Sequence, residues 1–346
     1  MRYPEFLKKG DTIGFIAPSF ACATEPYKSA FQNTIKVFDK MGYKTILGPN
    51  CGKSDGIGIS TNPEDCGREL TDMYTGKLGN CNTIISCGGG ELMCESMEHV
   101  DLDIIKAAKP KWYVGFSDNT NFIFNQVISC DTAGIYGPCA AAYGMEPWHE
   151  SLNDVFGLLS GEKLSVSSYD KWELEGKKSP EEPLLPYNCT EENVLKFYPD
   201  KSGKLDFSGR LLGGCLDILV QLCGTDYDKV EAFTEKYAED GIVWFLECCD
   251  LTVFAMRRAM WQLKHSGWFK HVRGFIIGRP LHHDEPMLGL DQYEAMLHVA
   301  RELDVPVIMD ADLGHVPPML PLIVGSYVDV HADAKANKLT VDMKLI

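Results

Sequence analysis

The feature that most constrains this chain is the rhythm of its first half, where short apolar runs alternate with longer amphipathic ones. Thr12-Ile-Gly-Phe-Ile-Ala17 is long enough for one buried strand and stops at Pro18-Ser19. Residues 26–41 then carry apolar positions at helical spacing and end on Gly42, a residue suited to closing a helix. A second strand is predicted over 44–47, and a helix over 62–74 opened by Asn-Pro-Glu-Asp. Thr83-Ile-Ile-Ser86 reads as a third strand running into Cys87-Gly-Gly-Gly90. Trp112-Tyr-Val-Gly-Phe116 reads as a fourth, followed at once by a helix-like run over 119–128. Strands separated by helices are joined by crossovers, so the pattern implies an α/β fold, a parallel sheet with helices on both faces.

At 346 residues the chain suits two domains, each able to bury its own core. The composition shifts over about 160–207, which holds Glu173-Leu-Glu-Gly-Lys-Lys-Ser-Pro-Glu-Glu-Pro183 and a Tyr/Asn/Asp-rich stretch with little periodicity. So long a weakly patterned segment is an interdomain connection or a substrate loop. Order resumes at Gly209-Arg-Leu-Leu-Gly-Gly-Cys215, with strands expected over 242–246, 274–278 and 305–309. Helices are expected near 251–265 and 292–303, and the stretches 327–330 and 339–343 read as an antiparallel hairpin.

A net charge of −16 leaves no cationic excess to neutralise phosphates, so no nucleic-acid polymer is expected as a partner. No stretch approaches the ~18 continuous apolar residues of a membrane span, and Met1-Arg-Tyr-Pro-Glu-Phe-Leu-Lys-Lys9 has no apolar secretory core. The compartment expected is the cytoplasm, with no membrane partner. The thirteen cysteines are odd in number, scattered and free of any CxxC pair, which reads as reduced thiols rather than a zinc site. No metal and no cofactor are expected, and no thiol is expected to be catalytic.

Three polar residues stand where an open α/β sheet collects its chemistry, at the C-terminal ends of strands. Ser117 follows the apolar run 113–116 and precedes Asp118 at a helix start. There it is either an exposed nucleophile, with the Asp118 N–H turned toward the same space, or part of a helix cap. The surrounding Gly-Phe-Ser-Asp is not Gly-x-Ser-x-Gly. Glu247 ends the run Ile242-Val-Trp-Phe-Leu246 and is a solvated strand end or the buried orienter of a histidine. His315 lies in Asp312-Leu-Gly-His-Val-Pro-Pro318, where a glycine and two prolines fix the backbone of a possible base. His282-His-Asp284 could be mistaken for a metal cluster, but adjacent histidines do not face one another. Gly88, Gly89 and Gly90 permit close backbone approach, to a ligand or simply within a tight turn.

The order of these pieces resembles one family, the serine peptidases comprising the LD-carboxypeptidases and the microcin C immunity peptidases. The resemblance runs through Gly10-Asp-Thr-Ile-Gly-Phe-Ile-Ala-Pro-Ser19, Gly88–Gly90, Gly115-Phe-Ser-Asp-Asn-Thr120 and Tyr136-Gly-Pro138. It continues through Gly209-Arg-Leu-Leu-Gly-Gly214, Phe245-Leu-Glu247, Gly274-Phe-Ile-Ile-Gly278 and Gly314-His-Val-Pro-Pro318. It implies a Rossmann-like N-terminal domain bearing the serine over 1–160, a connecting segment and substrate loop over 161–208, and a C-terminal α/β domain over 209–346 that ends in the hairpin. It further implies a triad of Ser117, Glu247 and His315, an oxyanion hole from the N–H groups of Gly89 and Asp118, and a homodimer.

Two activities compete within that family: release of a terminal D-alanine from murein tetrapeptides, and cleavage of the bond joining a peptidyl or aminoacyl group to a modified nucleotide. The long segment 160–207 resembles the substrate loop of the second branch, so an aminoacyl-nucleotide or small peptide is the expected substrate. That branch often stacks the base on a loop tryptophan near Leu-x-Pro, whereas Leu185-Pro-Tyr-Asn-Cys189 offers Tyr187 and Cys189 here. Trp172 or Tyr187 would take the base instead, with Gly88 beside the substrate. A reading of another class, a non-catalytic Rossmann-like module whose Gly88–Gly90 loop holds a ligand, predicts binding without covalent labelling.

Overall fold

The computed structural model describes residues 1–199 and 203–346. The part of the expected substrate loop at 200–202 lies outside the described residues. The chain divides into two compact units. The first comprises Met1–Lys163, Glu175–Asn188 and Pro321–Ile323; the second comprises Leu164–Leu174, Cys189–Leu320 and Val324–Ile346.

The first unit carries β1 (Thr12–Ile16), β2 (Lys44–Leu47), β3 (Thr83–Ser86), β4 (Trp112–Gly115) and β5 (Gly134–Tyr136). Between and after them run α1 (Tyr27–Lys40), α2 (Pro63–Thr75), α3 (Met93–Met97), α4 (Leu102–Ala107), α5 (Thr120–Ile128) and α6 (Glu150–Ser160). The sheet is parallel from β2 through β1, β3 and β4 to β5. A sixth strand, Leu322–Val324, returns from far along the chain to sit beside β5. Every side chain of β3 and β4 is buried, as expected of strands covered on both faces. Asn62 caps α2 by accepting the Asp65 N–H at 2.8 Å, with Pro63 in the first turn where its missing N–H costs nothing. Phe15, Phe38, Tyr143 and Phe156 pack as a ring cluster with centroids 5.2–6.0 Å apart at the pairs they form.

The second unit carries β6 (Ser165–Ser167), β7 (Lys171–Trp172), β8 (Glu191–Glu192), β9 (Lys196–Tyr198), β10 (Lys204–Cys215), β11 (Ile242–Glu247), β12 (Val272–Gly278) and β13 (Val307–Ala311). With β14 denoting Leu322–Val324, it closes on β15 (Tyr327–Asp333) and β16 (Lys338–Lys344). Its helices are α7 (Leu216–Leu222), α8 (Val230–Lys236), α9 (Val253–His265) and α10 (Gln292–Leu303). The eight-stranded sheet runs β6-β16-β15-β10-β11-β12-β13-β9. Its centre, β10 to β13, is parallel, and its flanks are antiparallel. The tail hairpin is the β15–β16 pair, and Trp244 stacks on Trp268 at 5.9 Å within the core.

The α/β class, the parallel N-terminal sheet and the terminal hairpin stand as the sequence led one to expect. Two local readings shift. The strand expected over 305–309 is β13, two residues later, because Asp304 closes α10 in the left-handed region (φ 51°) and Pro306, lacking an N–H, precedes the ladder. The weakly patterned segment is not all loop: β6 and β9 add edge strands to the second sheet, and β7 pairs with β8.

Candidate active site

In the first unit the site grows out of β4. That strand ends at Gly115 because Asn119 occupies the space a side chain would need: a Cβ there would lie 2.8 Å from Asn119 Cγ. Phe116 is extended, and Ser117 then turns into the left-handed region, φ 62°, at the head of a short 3₁₀ turn leading into α5. A non-glycine residue there is strained by ~1 kcal/mol, so neighbours must hold it. Tyr136, fully buried at the end of β5, accepts the Ser117 N–H at 3.1 Å.

Asn119 ties this turn to the glycine loop. Its Nδ2 donates to Gly88 O at 2.8 Å and Phe116 O at 3.1 Å, and its Oδ1 accepts from Tyr113 Oη at 2.6 Å. Gly88 O also accepts from Ser86 Oγ at 3.0 Å. Gly89 lies against the serine itself: a Cβ there would stand 3.0 Å from Ser117 Cβ and 3.2 Å from its Oγ. Asp118 is buried, its Oδ2 accepting from Ser19 Oγ at 2.5 Å and from the Met93 N–H at 2.9 Å, its Oδ1 from Asn121 Nδ2 at 2.9 Å. Burial pushes its carboxyl up to about 6 against the pull of those donors. Asp118 is thus the bracket joining the serine turn, the end of β1 and the start of α3.

In the second unit the C-terminal ends of the parallel strands gather Asp217, Glu247, Arg279 and Asp312 within two residues of β10, β11, β12 and β13. Glu247 is completely buried and its Oε2 lies 2.8 Å from His315 Nδ1. The His315 loop is closed at its base, Leu313 N–H to Ala311 O at 2.8 Å and Leu320 N–H to Asp312 O at 2.6 Å. Asp312 fastens it further, accepting from the Tyr169 N–H at 2.9 Å and Asn193 Nδ2 at 2.8 Å, with burial pushing its carboxyl up to about 7. At His315 burial disfavours the imidazolium. The Glu247 carboxylate and a hydrogen bond with Cys249 outweigh that and drive the group well above ordinary histidine.

The sequence did not point to Cys249, a half-buried thiol that adds to the hold on the His315 imidazolium while burial pushes the thiol itself up. Asp217 holds that turn, its carboxylate accepting the Cys249 N–H at 3.1 Å and the Asp250 N–H at 2.8 Å. Tyr136 stands in the stretch Tyr136-Gly-Pro138, but nothing in the sequence aims its hydroxyl at Ser117.

The expected substrate residues fall in different units. Tyr187 belongs to the first, its ring 5.6 Å from His149. Trp172 belongs to the second, with the Arg279 guanidinium 4.4 Å from its ring and His283 edge-on at 5.2 Å. Among the described residues no group of three or more His, Cys, Asp or Glu side chains is placed to hold a metal ion. His282 instead pairs with Glu285 at 3.1 Å on an exposed turn.

Comparison with known proteins adds the identity. The LD-carboxypeptidase N-terminal domain matches residues 13–137, and the LD-carboxypeptidase C-terminal domain matches residues 208–330. The microcin C7 self-immunity protein MccF of Escherichia coli is 26% identical over 342 residues, 96% of this chain and 94% of that one. A probable murein peptide carboxypeptidase of Bacillus subtilis is 22% identical over 331 residues, 93% of this chain and 89% of that one. The structure of MccF in complex with glutamyl sulfamoyl guanosine superposes with a TM-score of 0.79 at 24% identity, covering 99% of each chain, a likeness of fold. With both domains matched in order, the chain belongs to the LD-carboxypeptidase family and is a serine peptidase with the MccF fold.

Proposed function

We propose that Ser117 is the nucleophile, His315 its general base and Glu247 the orienter of that base, acting on an amide-type bond between an aminoacyl or peptidyl group and a modified nucleotide. The observation that carries the reading is the 2.8 Å Glu247–His315 pair with the carboxylate wholly buried. A carboxylate so placed fixes the tautomer and stabilises the imidazolium formed when the serine proton is taken. Ser117 attacks the carbonyl carbon, the proton passes to His315 and then to the leaving nitrogen, and water repeats the sequence to release the acyl group. Gly89 and Asp118 N–H groups bind the oxyanion, each worth ~3 kcal/mol in comparable hydrolases. The glycine at 89 supports this, since any side chain there would press on Ser117.

The substrate class is supported by the bound glutamyl sulfamoyl guanosine of the MccF relative and by Trp172, whose indole is backed by Arg279. Stacking of a base on such a ring contributes ~1–3 kcal/mol. The murein peptide activity named for the Bacillus relative is the second reading. A murein tetrapeptide has no aromatic ring and gains nothing from Trp172 or Tyr187. Trp172→Ala and Tyr187→Ala, assayed separately on an aminoacyl-sulfamoyl adenosine and on a murein tetrapeptide, decide the matter. Selective loss of kcat/KM on the nucleotide is expected for the residue that stacks; D-alanine release by the wild type with no nucleotide cleavage would reverse the assignment. The same reading takes the enzyme as a cytoplasmic homodimer, which equilibrium sedimentation of the full chain tests.

A further inference from the structure

We propose that Arg279 is a positioning residue that, through Asp312, lets a nucleobase stacked on Trp172 set the turn carrying His315, a role that rests on Trp172 receiving the nucleobase and on His315 being the general base. Half-buried Trp172 stands on the two-residue pair β7–β8, too short to hold a large side chain by itself. Its ring is held by the Arg279 guanidinium, 4.4 Å from the ring centroid, and its Nε1 donates to Glu192 O at 3.2 Å. Arg279 is buried, and its Nη2 donates to Asn193 Oδ1 at 2.9 Å and to Asp310 O at 3.1 Å. That carbonyl meets the guanidinium where β12 and β13 shift register, with Asp310 in the left-handed region at φ 59°.

The other arm of the guanidinium is not closed. Nη1 stands 4.0 Å from Asp312 Oδ1, both atoms are buried, and neither has a hydrogen-bond partner among the described residues. A donor and an acceptor shut away from water about 1 Å short of a hydrogen bond are costly apart and gain by meeting. Asp312 is also what fixes the His315 turn. Its O accepts the Leu320 N–H across that turn, and its Oδ2 accepts from the Tyr169 N–H and Asn193 Nδ2. The Trp172 strand meets the same turn a second time, where the Glu173 N–H donates to Pro317 O at 2.7 Å. A nucleobase seated on Trp172 holds the indole against Arg279, Nη1 closes on Asp312, and the chain on either side of His315 is steadied. Binding energy from a part of the substrate remote from the reacting bond then appears in kcat and not in affinity alone.

The experiment compares two substrates that share the scissile bond: an aminoacyl-sulfamoyl adenosine, and the same aminoacyl sulfamate with a methyl group in place of the nucleoside. In the full-length wild type the nucleoside is expected to raise kcat at least about tenfold. In Arg279→Met that kcat ratio should fall toward one, and any general loss of activity cancels because both substrates share it. Thermal melts establish that the variant is folded. Arg279→Lys, which keeps the charge and loses the fork to Asn193 and Asp310, is the second variant and should lower the ratio at least about threefold. A ratio kept in folded Arg279→Met, or in Arg279→Lys should the first not fold, overturns the proposal. So does a wild type in which the nucleoside lowers KM and leaves kcat unchanged. In that case Trp172 remains the platform if Trp172→Ala raises KM for the adenosine substrate alone. A Trp172→Ala variant that treats the two substrates alike removes the platform itself, and the role of Arg279 with it.

Discussion

A Cβ atom at position 314 would lie 2.4 Å from Glu247 Oε2 and 2.7 Å from its Cβ. Gly314 is also in the left-handed region, φ 94°, where any other residue is strained. Only a glycine therefore lets the loop pass over the buried carboxylate and present His315 to it. Gly314→Ala is expected to lower kcat by about a hundredfold or more, since a 1 Å displacement of a catalytic group costs on that order. Its melting temperature should fall by several degrees. Turnover near that of the wild type would mean the Glu247–His315 contact is dispensable.

The pH profile carries a signed expectation. A general base works only when neutral, and Glu247 and Cys249 hold His315 above the ordinary histidine range against the opposing effect of burial. The acid limb of kcat/KM should thus lie at higher pH than an unperturbed imidazole would give. Glu247→Gln should move that limb down in pH while lowering the plateau by orders of magnitude. Adding His315→Ala to it should cost little more than His315→Ala alone, because groups that act as a unit are not additive. A limb that stays put in the Glu247 variant would break the link.

Ser117 offers a test that separates strain from chemistry. At φ 62° glycine is at ease and alanine is not. Both Ser117→Gly and Ser117→Ala should abolish turnover, yet the glycine variant should be more stable than the alanine variant by ~1 kcal/mol. Calorimetry or denaturant titration reads the difference. Residual activity at the wild-type level in either variant would refute the nucleophile.

Stability should fall as pH rises through neutrality. Glu69 is buried beneath the turn after β1, accepting the Ala17 N–H at 2.8 Å and the Asn50 N–H at 2.7 Å, and desolvation pushes its carboxyl up to about 7 from 4.5. Asp118, at about 6, and Asp312, at about 7, move the same way. Between their unfolded and folded values the native state holds protons that the unfolded chain has released. That stabilisation is complete below the unfolded values and is lost as pH climbs through the folded ones. The melting temperature should be several degrees higher at about pH 5.5 than at about pH 8. Glu69→Gln should melt lower throughout but with a shallower dependence on pH.

How much of this was legible in the sequence follows from what each feature depends on. β1, β3, β4 and β11 are continuous apolar runs bounded by glycine or polar residues, and burial on both faces writes such runs locally. Gln292–Leu303 was read to the residue because Asp291 caps it and its apolar face repeats at helical spacing. β5, three residues long, and the edge strands β6 and β9 carry too little pattern, and their partners lie far away in the chain. At the candidate site, Ser117, Glu247 and His315 announced themselves by standing at strand ends or in a proline-fixed turn. Tyr136, Asn119, Asp312 and Cys249 did not, because what matters about each is the partner of one polar atom, and that partner is set by tertiary packing.

The late strand Leu322–Val324 has a practical consequence for anyone cutting this protein apart. Residues 13–137 match a named domain, and a fragment stopping at 163 looks like a natural unit. Such a fragment would leave out the segment Pro321–Ile323, which belongs to the same compact body and lines the β5 edge. The bared N–H and C=O groups of β5 would then be open to any passing strand. Expressed alone, the fragment should self-associate, whereas a version with residues 319–325 grafted on by a linker should stay dispersed.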